Sequence, residues 1–213
     1  MDLTDGAPAF DWLPVPGAPA AGTWADGVLT VTAGRLTDWF VDPSGVHVAA
    51  GNAPILLGPV GTTGEGAPAG PARACLTATA AMDGTTQFDA AALYVFVNDR
   101  SWAKLALERN PLGQETLVSV VTDGTSDDCN HRVAAGPVRL RVCSVGGGAF
   151  AFHVEQDGRW DLLRLFGLAD AKAEPDSVRL GLSAQSPLGE GCTASFRGIA
   201  WSADVPADLR AGT

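Results

Sequence analysis

In the stretch SWAKLALER, residues 101–109, a strand periodicity of two puts Trp102, Lys104, Ala106 and Glu108 on one face, with Ala103, Leu105 and Leu107 on the other. The second face is core; the first offers chemistry. The preceding QFDAAALYV, residues 87–95, alternates in the same way and places Gln87, Asp89, Ala91 and Leu93 on one side. An amide, two carboxylates and an ammonium then share one sheet surface. Carboxylates accept and an ammonium donates hydrogen bonds, so Asp89, Lys104 and Glu108 are candidates for orienting a polyhydroxylated ligand in a groove. They equally suit a solvated face with a cross-strand ion pair. Trp102 is placed to stack on a sugar ring or to cap the core edge. Arg164, in phase with Trp160 and Leu162, is positioned to join from a later strand.

Two further segments carry candidate groups. DGTSDDCN, residues 123–130, reads as a polar loop that brings Ser126 and Asp127 to a groove rim or simply turns the chain. Its acidic residues lack the spacing of a calcium loop, so no metal is expected. AQSPLGEGC, residues 184–192, reads as a tight loop from which Gln185 and Ser186 reach over the groove edge. His47 and His131 show no ligand spacing and read as surface or loop residues. No cofactor is expected.

Hydrolysis of a glycoside needs two carboxyl groups about 5–5.5 Å apart for retention or roughly 6.5–9.5 Å for inversion, which Asp89 and Glu108 can meet only from adjacent strands. An ammonium between them lowers both pKa values and hinders a general acid. The E-x-D run from Glu155 to Asp157 falls at a hairpin tip. Binding without catalysis is therefore the first reading. A glycoside hydrolase or lyase using Asp89 and Glu108, and a protein-interaction domain with a flat apolar patch, are the alternatives.

The elements that must hold these residues are strands. GVLTVTAG, ACLTATAAM, VRLRVCSV, AFAFHVEQ, RWDLLRLFGL, VRLGLSAQS and TASFRGIAW recur in a sandwich rhythm, with no αβ alternation. Asp157-Gly158 between two of them predicts a tight hairpin. ADAKAEPDS hints at one short helical turn, ended by Pro175. Residues 1–23, with four prolines, read as an extended strap anchored by Trp12; residues 51–73 read as a Gly- and Pro-rich loop, and 202–213 as a peripheral tail. In VRLRV, Arg139 and Arg141 share a face expected to be solvated.

The 213 residues carry 24 acidic against 14 basic side chains, a net charge of −10, and the basic ones are scattered. Nucleic acid and anionic membranes are thereby disfavoured as partners. No run reaches the roughly 18 apolar residues of a spanning helix. The acidic, proline-interrupted start lacks the features of a secretory signal, which reads as cytoplasmic. Cys75, Cys129, Cys143 and Cys192 are widely spaced and read as buried reduced thiols, with a Cys129–Cys192 disulfide as the alternative. Lys104 is one of only two lysines beside twelve arginines. The oligomeric state is not readable.

QFDAAALYV, WAKLALE, SVVTDGTSDD, WDLLRLFGL and AQSPLGEGCTASF, in this order and spacing, resemble the family known as domain of unknown function 1349, which includes the regulation-of-enolase type proteins. The similarity runs from about Trp12 to Trp201. It implies an all-β, concanavalin A-like lectin/glucanase jelly roll, two antiparallel sheets with a groove across one, in a single domain spanning 1–213. The family pattern falls on Gln87 and Asp89, on Trp102, Lys104 and Glu108, on Ser126 and Asp127, and on Gln185, Ser186 and Pro187. Asp128 departs from it, standing where the family often has an aromatic. A carbohydrate or other small polar ligand is the expected partner, with no established activity.

Overall fold

The computed structural model describes residues 10–15, 22–47, 51–60, 73–133 and 136–213, with 132 and 133 described by backbone alone. Its strands are β1 (Asp11–Trp12), β2 (Gly22–Ala25), β3 (Val28–Ala33), β4 (Ile55–Pro59), β5 (Ala74–Met82), β6 (Ala90–Asn98), β7 (Ser101–Arg109), β8 (Glu115–Asp123), β9 (Thr125–Val133), β10 (Val138–Gly146), β11 (Ala149–Gln156), β12 (Arg159–Gly167), β13 (Arg179–Gln185) and β14 (Cys192–Ser202). ADAKAEPDS folds into helix α1 (Ala169–Ala173) and a 3-10 turn at Pro175–Ser177. Among the described residues the strands form two antiparallel sheets of seven. The front sheet has the order β1-β4-β13-β6-β7-β8-β9 and the back sheet β12-β11-β10-β5-β14-β3-β2. The all-β jelly-roll sandwich is therefore the fold. Asp157 and Gly158 take the positive φ values of 51° and 73° that close the expected β11–β12 hairpin.

The main core lies between the sheets. Ala91, Leu93, Ala103, Leu105 and Leu107 meet Leu76, Leu140, Val142, Phe152 and Phe196 across it, in the phase that SWAKLALER predicts. Phe10 packs edge-on against Trp201, and Trp12 packs against the same core as the expected anchor. The remainder of the strap, 1–9 and 16–21, and residues 61–72 of the long loop lie outside the described residues.

A second apolar cluster covers the other side of the front sheet, where Ile55, Tyr94, Phe96, Trp102, Val118 and Val120 pack with Trp39 and Ala53. Burial on both faces explains why AAALYVFV reads as an unbroken apolar run although the sheet is antiparallel. The covering chain is a strap over residues 36–42. It is tied to the end of β13 by the Thr37–Ser186 bridge and to β9 by Ser126 N–H to Val41 O, 2.9 Å. Trp39 closes it, donating from Nε1 to Ala53 O at 3.0 Å.

The back sheet departs from expectation in two ways. Its outer face is not simply solvated, because the chain end folds back across it. Arg141 Nη2 donates to Gly212 O at 3.1 Å, its guanidinium lies 4.3 Å from the Trp160 ring, and His153 Nε2 stands 2.8 Å from Leu209 O. Residues 202–213 are thus docked rather than peripheral. Moreover, the thiols are not all reduced: Cys75 and Cys143, directly opposite in the β5–β10 ladder, form a disulfide, while Cys129 and Cys192 are free. The bridge closes a sequence separation of 68 residues. Changing both Cys75 and Cys143 to serine is expected to lower stability by ~2–4 kcal/mol, because the denatured chain regains the freedom of that loop. Urea denaturation checks this, and an unchanged midpoint would contradict it.

Candidate functional site

The front sheet's outer face holds a cavity of about 590 Å³ beside the strap. Lys104 and Glu108 of β7, Gln185 at the end of β13, and Asp128 and Asn130 of β9 supply its polar groups. Asp38 comes from the strap. Phe40, Phe88, Pro111, Val118 and Leu188 are among its apolar walls, and exposed His47 also reaches it.

Lys104 is the fixed point. Its side chain is 2% exposed, and Nζ donates to Gln185 Oε1 at 2.7 Å and Trp39 O at 2.8 Å, with Asp38 Oδ1 at 3.4 Å. Those three acceptors use the three donors of an ammonium. Lys104 therefore clamps the strap and β13 onto β7. Gln185 is held from its other end as well, Nε2 donating to Phe88 O at 3.4 Å.

Glu108 is 9% exposed and has no hydrogen-bond or ion-pair partner among the described residues. Burial pushes its carboxyl up to about 8; Lys104 opposes the shift, and Asp128 and Asp38 add to it. Asp128 is also raised, again by desolvation first. In register, Asp128 stands opposite Val120, which stands opposite Lys104, so it lies level with the lysine two strands away. Glu108 lies four residues further along β7.

The other expected site residues go elsewhere. Asp89 is off the Lys104 face because the β6–β7 register sets Tyr94 opposite Lys104 and Ala90 opposite Glu108, so that Asp89, in phase with Ala91 and Leu93, belongs to the other side of the sheet. Its carboxylate instead accepts from Ser186 Oγ at 2.6 Å and from Thr86 N–H at 2.9 Å. Gly189 has to be glycine here, since a Cβ would stand 2.5 Å from Ser186 Oγ. Asp89 and Ser186 thus build the end of the sandwich, and a hydrolytic pair of Asp89 with Glu108 is not formed around the cavity. Trp102 is fully buried, edge-on to Trp39 at 5.9 Å, and offers no face to a ligand.

DGTSDDCN is not a loop but the turn and strand of the β8–β9 hairpin. Ser126 Oγ accepts from Val41 N–H at 2.9 Å and contacts Thr122 Oγ1 at 2.8 Å, which makes it the strap's far anchor. Asp127 points to the opposite side and pairs with Arg164 at 2.7 Å. Arg164, from β12 of the back sheet, also donates to Ser119 O at 3.4 Å. The pair joins the two sheets at one edge of the sandwich, outside the cavity lining. His131 is likewise a strand residue, with Nε2 2.9 Å from Ser119 Oγ.

Asp38, Asp128 and Asn130 are cavity residues that sequence reasoning passed over. For Asp128 the signal was its departure from the family's aromatic. For Asp38 it was an acid set beside two aromatics ahead of the D-P-S-G turn.

A jelly roll with a strap pinned by a buried lysine and a cavity beside it defines the class of protein. The chain belongs to the family described as "Protein of unknown function (DUF1349)", whose model matches residues 17–203. No curated protein matches it in sequence. A functionally unknown protein from Saccharomyces cerevisiae has a similar structure, with a TM-score of 0.74, 22% identity, and coverage of 92% of this chain and 97% of that one. Xylan beta-1,4-xylosidase from Bacillus halodurans C-125 is similar at a TM-score of 0.60 and 14% identity, over 93% of this chain and 40% of that one. Bacteroides ovatus Xyloglucan PUL GH43B is similar at 0.62 and 15% identity, over 94% of this chain and 38% of that one. The chain spans about two fifths of these last two, and at such identities the likeness is one of fold.

Proposed function

We propose that this chain is a carbohydrate-type binding domain that holds a polyhydroxylated small ligand in the cavity over the front sheet. The observation that carries this reading is the cavity's make-up. Apolar walls from Phe40, Phe88, Pro111 and Leu188 face polar groups from Glu108, Asp128, Asn130 and Gln185, which suits a ligand with apolar ring faces and hydroxyl edges. The fold it shares with part of xylan-acting proteins is compatible with such a role and does not by itself argue for it. The Cys75–Cys143 disulfide weighs against the cytoplasmic expectation, since such cross-links persist in oxidising compartments.

A glycan array followed by thermal-shift titration tests the reading. Binding of at least one saccharide class is expected, with Asn130→Ala weakening it about 10-fold, equivalent to ~1.4 kcal/mol, while the unliganded melting temperature stays unchanged. No binding across neutral, acidic and amino saccharides would overturn it.

A further inference from the structure

The charge arrangement inside the cavity narrows the ligand class, on the premise that the cavity is a ligand site. Glu108 is nine-tenths buried, lines the cavity, and lacks a partner among the described residues. A buried carboxyl left in that state costs stability unless something beyond the described residues satisfies it. The one buried ammonium nearby does not, because Lys104 Nζ is already held by Trp39 O, Gln185 Oε1 and Asp38 Oδ1. Two more carboxylates, Asp38 and Asp128, stand on the same walls. His47 is the remaining ionisable base of the lining, and it lies out at the surface, 4.0 Å from Asp42. Among the described residues, three carboxyls thus share one committed ammonium.

We propose that the cavity's ligand carries a protonated amine, seated on Glu108 with Asp128 further along the same wall, so that the ligand class is an amino sugar or a like amine-bearing polyol. An ammonium brings both the hydrogen-bond donors that Glu108 lacks and the positive charge that the lining lacks. A neutral sugar satisfies only the first need. Uronates and sugar phosphates add to the excess of negative charge and are disfavoured.

Proton exchange should accompany binding. Among the described residues, the ionisable groups facing Glu108 are Lys104 on its own strand, Asp128 on β9, Asp38 on the strap and Tyr94 on β6. Burial holds Glu108 up to about 8, so at neutral pH it is mostly protonated in the empty cavity. A ligand ammonium favours the carboxylate. The Glu108 O–H bond then breaks and its proton passes to solvent water as the ion pair forms, with no other bond changed.

The experiment is calorimetric titration of the full chain with glucosamine oligomers, N-acetylglucosamine oligomers and glucose oligomers of equal length, and with spermidine. Each is run near neutral pH in two buffers of different ionisation heat. Glucosamine oligomers are expected to bind at least ~10-fold more tightly than either neutral series, a gap of about 1.4 kcal/mol. They should also release up to about one proton. Glu108→Gln should abolish the preference and the proton release; the surface-accessible Asp128→Asn, which does not depend on a buried site refolding, should reduce the preference in part. Equal affinity for the amino and neutral oligomers would overturn the amine site and leave the carbohydrate reading intact. Spermidine binding as tightly as glucosamine oligomers would support the amine site and overturn the carbohydrate reading. Binding by none of the four would overturn the amine site, and the glycan array then decides the carbohydrate reading.

Discussion

Lys104→Met is expected to lower stability by ~3–5 kcal/mol, the range found when one partner of a buried ion pair is removed. Methionine keeps most of the aliphatic stem beside Trp102, so the loss is mainly polar. What remains behind is Asp38 without its cation, and Trp39 O and Gln185 Oε1 without their donor. An exposed pair such as Arg35–Glu190 is by contrast worth ~0–1 kcal/mol. Burial makes the difference, because Lys104 is 2% exposed and water reaches its former acceptors only through the cavity. The same substitution should release the strap, so amide exchange of Asn52 and Val41, whose N–H groups bond Asp38 O and Ser126 Oγ, should speed up before global unfolding. Urea denaturation and hydrogen exchange read the two effects. A loss below ~1 kcal/mol would mean that the clamp is not what holds the strap.

Glu108→Gln has the second large effect, and it depends on pH. The ordinary carboxyl value is 4.5 and burial lifts Glu108 to about 8 in the folded chain. Between these values the native state binds a proton that the unfolded state has lost. Unfolding free energy therefore decreases as pH rises from about 4.5 to about 8, and the favourable contribution is complete only below the lower value. The span corresponds to roughly 5 kcal/mol at ~1.4 kcal/mol per pH unit. Glutamine does not ionise, so the variant should match the parent near pH 4 and exceed it by several kcal/mol near pH 9. Other carboxylates titrate in both proteins, so the quantity to follow is the difference between the two stability curves. Parallel curves across that range would show that Glu108 ionises freely in the folded chain.

The architecture was legible because strands announce themselves locally. The phase of SWAKLALER, the Asp157-Gly158 turn and the Pro175 stop each depend on residues a few positions apart. The site was legible only in part. Lys104, Glu108 and Gln185 line the cavity, but the partners of Lys104 lie 65, 66 and 81 positions away, and no local pattern records them. Asp89 was misplaced because alternation within each strand does not say which faces of two strands coincide: the register pairs Tyr94, not Leu93, with Lys104. DGTSDDCN looked like a loop because an edge strand needs few apolar residues and tolerates charges that a central one does not. Trp102 had the right face but the wrong depth: nothing within β7 indicates that residues 36–42 roof it over. The Cys75–Cys143 pairing required knowing that β5 and β10 are neighbours in register.

The Arg164–Asp127 contact, having no part in the cavity, has another consequence. β9 and β12 are the last strands of their sheets and stack at the same side of the sandwich, each with one row of backbone groups that pairs with no strand in the two ladders. Such a row is a template for a further strand from another molecule. A newcomer along β9 would have to strip water from Asp127 and Asp128, and one along β12 from Arg159, Asp161 and Arg164, without replacing it. Charge placed at the rim of the sheets thus raises the cost of adding a further strand there.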